Sequence, residues 1–234
     1  MTRSRNERAH GVRAAAHSGL AAPPQTSRAT SWPLSWIGRW HHAFVFGRRT
    51  RVLAEMLAAR IPQRATVLDI GCGDGTVGSL IKELRPDVAI QGVEFLVRPG
   101  CKIECRAFDG SSLPFADASF EVCLFVDVLH HTENPEALLR EAARVSRSFV
   151  LLKDHLDESF IDGATLRFMD WVGNRPHGVV LTYNYQSRKE WAEHFSSCGL
   201  AEVNWTTEVP LYPSPFHLVV GRGLHFVSLL KKTN

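Results

Sequence analysis

The sequence predicts an α/β fold in which a parallel sheet is covered by helices on both faces. Three observations predict it. From Ala65 onward, apolar runs alternate with helical patterns; the first run ends in a glycine-rich turn that opens a helix; and the next two runs end in acidic residues. Nearly continuous apolar strands separated by helices are expected when a sheet is buried on both sides.

Residues 1–31, rich in Arg, Ala, Ser, Thr and Pro without apolar periodicity, read as a disordered basic tail. Residues 32–64 read as an N-terminal helical cap. Trp32, Trp36 and Trp40 are spaced by four, which puts all three on one helix face. This stripe is expected to dock on the body as a lid; the alternative, given Arg39, Arg48 and Arg49 around it, is a helix lying on a membrane surface. Over 44–60, Val45, Val52, Leu53, Met56 and Leu57, with Ile61 beyond, recur at three-to-four spacing and predict a helix.

The main domain, 65–234, opens with strands predicted at 65–70, 89–93, 102–108, 120–126 and 148–152, and helices at 75–84 and 135–146. Two more strands are expected at 200–209 and 216–222, around the loop PLYPSP. An insertion of about 156–185 separates the fifth strand from the next helix.

The chain has 234 residues, 44% hydrophobic and 22% charged, enough to bury one full core. No apolar stretch reaches 18 residues, so no spanning helix is expected, and the start MTRSRNERAH lacks the apolar segment of a secretory signal. The net charge of +3 hides an asymmetry: residues 1–64 carry eleven arginines against Glu7 and Glu55, and the remainder is acidic. A basic arm of this kind is a solvated tail, a contact for nucleic acid or anionic lipid, or an organellar transit segment. Five cysteines, an odd number, fit reduced thiols in a cytoplasmic protein. Cys101 and Cys105 have no second pair nearby in sequence to complete a zinc site, and no H-E-x-x-H or similar spacing occurs, so no metal is expected.

The chemistry concentrates where strands end. After the strand ending in Asp69 comes Gly71-Cys72-Gly73-Asp74-Gly75 and then a helix. Glycines there permit a tight turn and close approach of a ligand to the backbone, and the helix start presents free N–H groups. A dinucleotide site would show G-x-G-x-x-G, and the third glycine position is Thr76. The second strand ends in Glu94, about 20 residues on, where a carboxylate can accept from both hydroxyls of a ribose. The third ends in Phe108-Asp109-Gly110, where an acid can accept from an adenine amino group. A dehydrogenase uses the same glycine-loop physics, but Thr76 and the second acid speak against it.

VLDIGCGDG, GVEF, FDGSSLPFADASFEVCLFVDVLHH and NPEALLREAARV together resemble the class I S-adenosylmethionine-dependent methyltransferases of the small "type 11" group, over roughly residues 48–152. The resemblance implies a Rossmann-like, doubly wound sheet of seven strands, mostly parallel with the last antiparallel, and S-adenosylmethionine as cofactor. By position it implies that Asp69, Gly71, Gly73 and Gly75, with Cys72 in the same loop, frame the methionine moiety. Glu94 would hold the ribose, Asp109 and Gly110 would face the adenine, and Asp127 would lie beside the methionine. Two departures stand out. Pro99 and Gly100 follow the second strand where a helix is usual, and Phe120-Glu121 replaces the usual Phe-Asp. Residues 153–234 match only in outline.

The acceptor should approach over the ends of the fourth and fifth strands, where His130, His131 and His155 are candidate bases. A histidine after such a strand also commonly serves packing alone. The insertion holds Phe160, Phe168, Met169, Trp171, Tyr183 and Tyr185, an aromatic lining that suits a hydrophobic, aromatic or lipid-like small molecule. Ile161, Leu166, Met169 and Val172 are expected to pack a helix of the insertion onto the core. Asp170, Asn174 and Tyr183, with Arg175 and His177, are polar candidates to reach the acceptor. Two other readings stay open: a nucleic-acid methyltransferase using the basic arm, although Asp127-Val128-Leu129-His130 stands where such enzymes carry Asn-Pro-Pro-aromatic, and a catalytically silent cofactor-binding partner. The first is disfavoured, and peripheral membrane contact through the tryptophan arm is retained.

Overall fold

A computed structural model describes residues 36–174, 183–211 and 223–233. Helix α1 (Trp36–Ala58) leads into β1 (Thr66–Ile70), α2 (Thr76–Leu84), β2 (Ala89–Glu94), β3 (Cys105–Ala107) and β4 (Phe120–Val126). A single 3₁₀ turn (Leu129–His131), α3 (Pro135–Val145), β5 (Ser146–His155), α4 (Phe160–Asn174), α5 (Arg188–Ser197), β6 (Leu200–Thr206) and β7 (His225–Lys232) complete it.

The seven strands form one sheet in the order β3-β2-β1-β4-β5-β7-β6. Strands β1 to β5 pair in parallel, and β7 runs antiparallel to both β5 and β6. The strand order turns back between β1 and β4, and such a switch point opens a crevice at the carboxyl ends of the strands. The Rossmann-like sheet with an antiparallel last strand is thus the one the resemblance implied.

Side chains that alternate along each strand build two cores, one per face. Leu68, Ile70, Cys123, Phe125, Val150, Leu152 and Phe226 face α3 and α5 through Leu138, Leu139, Trp191 and Phe195. Their neighbours Val67, Val122, Leu124, Leu151 and Val227 face α1 and α2 through Leu53, Leu57 and Ile81. Local chemistry sets the helix starts. Asn134 accepts from the Ala137 N–H with Pro135 in the first turn, and Ser187 with Glu190 forms a reciprocal capping box before α5.

Several sequence expectations shift. The last described strand is His225–Lys232, which the sequence did not suggest; the strand expected at 216–222 lies within 212–222, outside the described residues. The third strand is only Cys105–Ala107, because it has a partner on one side alone. The fifth is longer than predicted and follows α3 directly, since Ser146 already pairs with Phe120 of β4 and the charged Lys153 and Asp154 are carried within the ladder. No helix occurs between β2 and β3, where residues 95–104 form a loop, as Pro99 and Gly100 suggested. In α4, Leu166 is buried as expected, Met169 is half-buried, and the Val172 side chain lies outside the description. Ile161 is 74% exposed and does not join the core, because it sits two residues from Gly163 and so on nearly the opposite face. The tryptophan side chains at 32, 36 and 40 and residues 1–31 lie outside the described residues. Among the described residues, no helix is long and apolar enough to cross a membrane.

Trp191 ties α5 to the end of β5. It is fully buried, stacks on Phe195 at 5.8 Å, meets Phe226 at 5.4 Å, and donates from Nε1 to the His155 carbonyl at 3.1 Å. Trp191→Ala should therefore cost about 3–5 kcal/mol in denaturant unfolding. A loss below about 1 kcal/mol, the range of surface changes, would contradict this packing.

Candidate active site

The crevice is built first by the loop after β1. Gly71, Gly73 and Gly75 all have positive φ, at 72°, 59° and 74°. Gly71 donates to the Val93 carbonyl at 2.8 Å, and a Cβ at this glycine would meet Val128 at 2.7 Å. Around Gly73 the space is open, so the loop presents bare backbone there. Thr76, at the place of a third dinucleotide-type glycine, donates through its hydroxyl to Asp74 at 2.7 Å and so fixes the first turn of α2.

Glu94 closes the loop from the side. Its Oε2 accepts from the Gly73 N–H at 2.7 Å and its Oε1 from the Phe95 N–H at 2.9 Å. A carboxylate offers about four acceptor positions, so capacity for two hydroxyl donors remains. Asp69, at the end of β1, is buried, and burial followed by the nearby Glu94 charge pushes its carboxyl up to about 7. Asp109 is exposed after β3 and accepts through Oδ1 from the Ser111 N–H, the Ser111 hydroxyl and the Ser112 N–H, an arrangement that lowers its pKa. A Cβ on Gly110 would meet the Phe95 ring at 3.5 Å. Phe95 itself is 69% exposed and begins the loop that replaces the usual helix.

Beside this half lies a network of buried charge at the ends of β4 and β5 and the start of β7. The side chain of Lys153 is 0% exposed. It pairs with Asp127 and lies 3.3 Å from Nδ1 of His225. Arg49 reaches from α1 to the other oxygen of Asp127 at 3.0 Å. Burial would raise the Asp127 carboxyl, but Lys153, His155 and Arg49 hold it well below the usual carboxylate range. Asp154 accepts from Nδ1 of His130 at 2.6 Å, and from the N–H groups of Leu129 and His155 at 3.0 and 2.8 Å. Burial opposes ionisation of Asp154 too; His130 and these donors outweigh it and lower its pKa. His155 sits with Nδ1 3.3 Å from Nδ1 of His130, 3.4 Å from Asp154 and 3.6 Å from Asp127. Desolvation, then the Lys153 charge, depresses His155 to about 4, and desolvation also lowers His225.

The antiparallel pairing of β5 with β7 places His155 opposite His225. Tyr185 stacks on His130 at 5.6 Å, and Tyr183 stands 6.4 Å beyond it. His131 packs on His130 at 4.0 Å. The structure therefore gathers His130, His131, His155 and Asp127 into one cluster, with Tyr183 at its margin, and Asp69, Glu94 and the glycine loop into another. The side chains of Asp170 and Asn174, and all of Arg175 and His177, lie outside the description.

Sequence reasoning missed Arg49, Lys153, Asp154, His225 and Phe95. One signal was available: Lys153-Asp154 interrupts the apolar run SFVLL just before His155, and paired charges at the end of a buried strand need partners. His225 and Arg49 had no local signal, since only the sheet topology brings them in.

Comparison with known proteins agrees with this fold. The chain is 29% identical over 133 residues to 27-O-demethylrifamycin SV methyltransferase of Amycolatopsis mediterranei, covering 48% of this chain and 48% of that protein. It thus spans about half the length of that curated relative. It is also 32% identical over 84 residues to the Mus musculus protein named "Probable tRNA methyltransferase 9B", covering 35% of this chain and 18% of that one. Among solved structures, a SAM-dependent methyltransferase from Thermotoga maritima shares the fold with a TM-score of 0.57 at 20% identity, covering 84% of this chain and 96% of that chain. A family described as a methyltransferase domain matches residues 39–204, well over half of the sequence, and the chain belongs to that family, the class I S-adenosylmethionine-dependent methyltransferases.

Proposed function

We propose that this chain transfers the methyl group of S-adenosylmethionine to a small hydrophobic or aromatic acceptor, at the carboxyl ends of β4 and β5. The observation that carries the reading is the adjoining of two halves. An acid-lined glycine crevice at the switch point lies against a buried cluster of histidines and charges. The donor set fits the cofactor. Glu94, already oriented by the Gly73 N–H, has acceptor capacity left for a ribose diol. Oδ2 of Asp109 remains able to accept from an amino group, and Phe95 beside Gly110 offers an apolar face to a purine ring. Asp69, at about 7, gains from a neighbouring cation, which would favour its ionised form.

When bound, the cofactor supplies an electrophilic methyl group on a sulfonium, so the chain's share is chiefly positioning and removal of an acceptor proton. His155 is the residue assigned to that proton. Depression to about 4 keeps it neutral at physiological pH, and with Nδ1 turned to His130 and Asp154 at 3.3 and 3.4 Å, Nε2 is the ring nitrogen assigned to the acceptor proton. Asp127 and Asp154 then stabilise the imidazolium that forms. His130, buried and bonded to Asp154, acts by orientation, as does Lys153 by holding Asp127. Tyr183, with Asp170 and Asn174, is assigned to the acceptor side. An exposed apolar row on α4 supports an apolar acceptor: Ile161, Phe168 (63% exposed) and Trp171 recur at seven and three residues. A nucleic-acid acceptor keeps the similarity to the tRNA-enzyme name in its favour and lacks a base-holding motif after β4.

Calorimetry with S-adenosylmethionine and with a reduced nicotinamide cofactor tests the donor half. Only the former should bind, and Glu94→Ala should weaken it at least about tenfold, roughly 1.4 kcal/mol. Undiminished binding in the variant would falsify the crevice assignment.

The neutral state of His155 is testable through stability. Above its ordinary pKa of 6.5 the residue is neutral both folded and unfolded. As pH falls from 6.5 towards 4, the unfolded chain takes a proton that the folded chain refuses, so stability falls. The full loss from this group is on the order of 3 kcal/mol. His155→Gln should flatten denaturation free energy against pH across that window, with His225 supplying the remaining slope. An unchanged slope would show that His155 takes its proton in the fold at its ordinary pKa, contradicting the neutral assignment.

A further inference from the structure

Behind the glycine loop the fold assembles a second site, which shares Cys72 with that loop and draws its other two thiols from outside the residues assigned to the cofactor. Cys72 comes from the loop itself, Cys101 from the β2–β3 loop, and Cys105 from the first residue of β3. Their three sulfurs all lie within 4.8 Å of one another, with Cys72 and Cys105 at 3.4 Å. The sequence spacing of Cys101 and Cys105 showed only an isolated pair. The third thiol is 29 residues away from Cys101 and arrives because β2 lays β3 alongside the loop.

Two glycines make room for the sulfurs. A Cβ at Gly75 would stand 2.9 Å from Cys101 Sγ, and a Cβ at Gly92 in β2 would collide with Cys72 Sγ. The three side chains are half-buried, so they are sheltered yet reachable from solvent, unlike the buried Cys123 and Cys198. The charges around them are negative. Asp69 acts on Cys72 and Glu94 on Cys105, and these, behind the leading effect of desolvation, push both thiols up. A free thiolate is therefore disfavoured here, which argues against a nucleophilic or easily oxidised cysteine. The same anionic surroundings favour a cation.

We propose that Cys72, Cys101 and Cys105 form a three-thiolate site for a thiophilic divalent cation of filled d shell, with zinc as its natural probe. A zinc ion holds thiolates at about 2.3 Å, which sets sulfurs bound to one ion roughly 3.8–4.0 Å apart, well matched to this cluster. The fourth position is left to water. Binding exchanges thiol protons for the metal: each S–H gives up its proton to solvent as its sulfur bonds the ion, and no electrons are transferred. Bound there, the cation staples the glycine loop to β3 and stiffens the wall of the cofactor crevice.

The test is titration of the reduced full chain with Zn²⁺ against a chromophoric chelator, and with Co²⁺ to read the sulfur-to-metal charge-transfer bands. About one ion per chain should bind, with those bands and with proton release. Cys101→Ser and Cys105→Ser, neither of which belongs to the cofactor contacts, should each weaken binding at least about tenfold and dim the bands. Cys198→Ser should leave both unchanged. Circular dichroism establishes that each variant is folded before titration. Absence of the bands in the folded, reduced chain would overturn the proposal, as would bands that persist equally in both site variants. Because these readouts need neither donor nor acceptor, they stand or fall apart from the methyl-transfer reading.

Discussion

A lysine ammonium buried at the end of the central sheet is the constraint around which the site half of the molecule is arranged. Removing a charge from water is tolerated only with a well-placed opposite charge and further hydrogen bonds. Lys153 finds Asp127 one strand away and His225 on the other side, both within reach because β5 lies between β4 and β7. Asp127 adopts a positive φ of 57°, uncommon for a residue other than glycine, immediately after β4. The Arg49 guanidinium then fastens α1 across the same carboxylate. A second buried carboxylate, Asp154, does the equivalent work for His130 and His155. Burial and the Lys153 charge keep His155 neutral against the pull of the two acids, which serve instead as its polar neighbours.

The remainder of the architecture delivers these groups to one place. Alternation of side chains gives the sheet an apolar core on each face, so the strands are rigid and their ends are fixed. Five parallel strands send their carboxyl ends in one direction, and the antiparallel β7 begins where β5 ends. The crevice and the histidine cluster thus share an edge of the sheet while using different strands: β1, β2 and β3 for the crevice, β4, β5 and β7 for the cluster. Glu94 links local and global structure, since its bond to the Gly73 N–H makes the shape of the loop depend on the end of β2.

How much of this was legible in the sequence follows from how local each feature is. The glycine loop, Glu94 and Asp109 were readable because each sits at a strand end with its own short pattern. The first five strands were readable from apolar runs. The helix missing after β2 was foreshadowed by Pro99 and Gly100. The strand HFVSLLKK went unread because its two C-terminal lysines and central serine break the apolar run, whereas the expected strand at 216–222 lies outside the described residues. Exposure on α4 was misjudged at Ile161, since hydrophobicity alone does not say which face meets the core. Arg49, His225 and the joining of Cys72 to Cys101 and Cys105 depend on strand order, and no spacing in a single sequence encodes that order.

The central claim is that donor and acceptor halves meet at the ends of β1 and β4, and a crystal structure of the full chain with S-adenosylhomocysteine tests it most directly. The account predicts the ribose hydroxyls on Glu94, the adenine between Phe95 and Asp109, and the sulfur directed towards His155. A ligand bound elsewhere, or one whose sulfur points away from the histidine cluster, would contradict it.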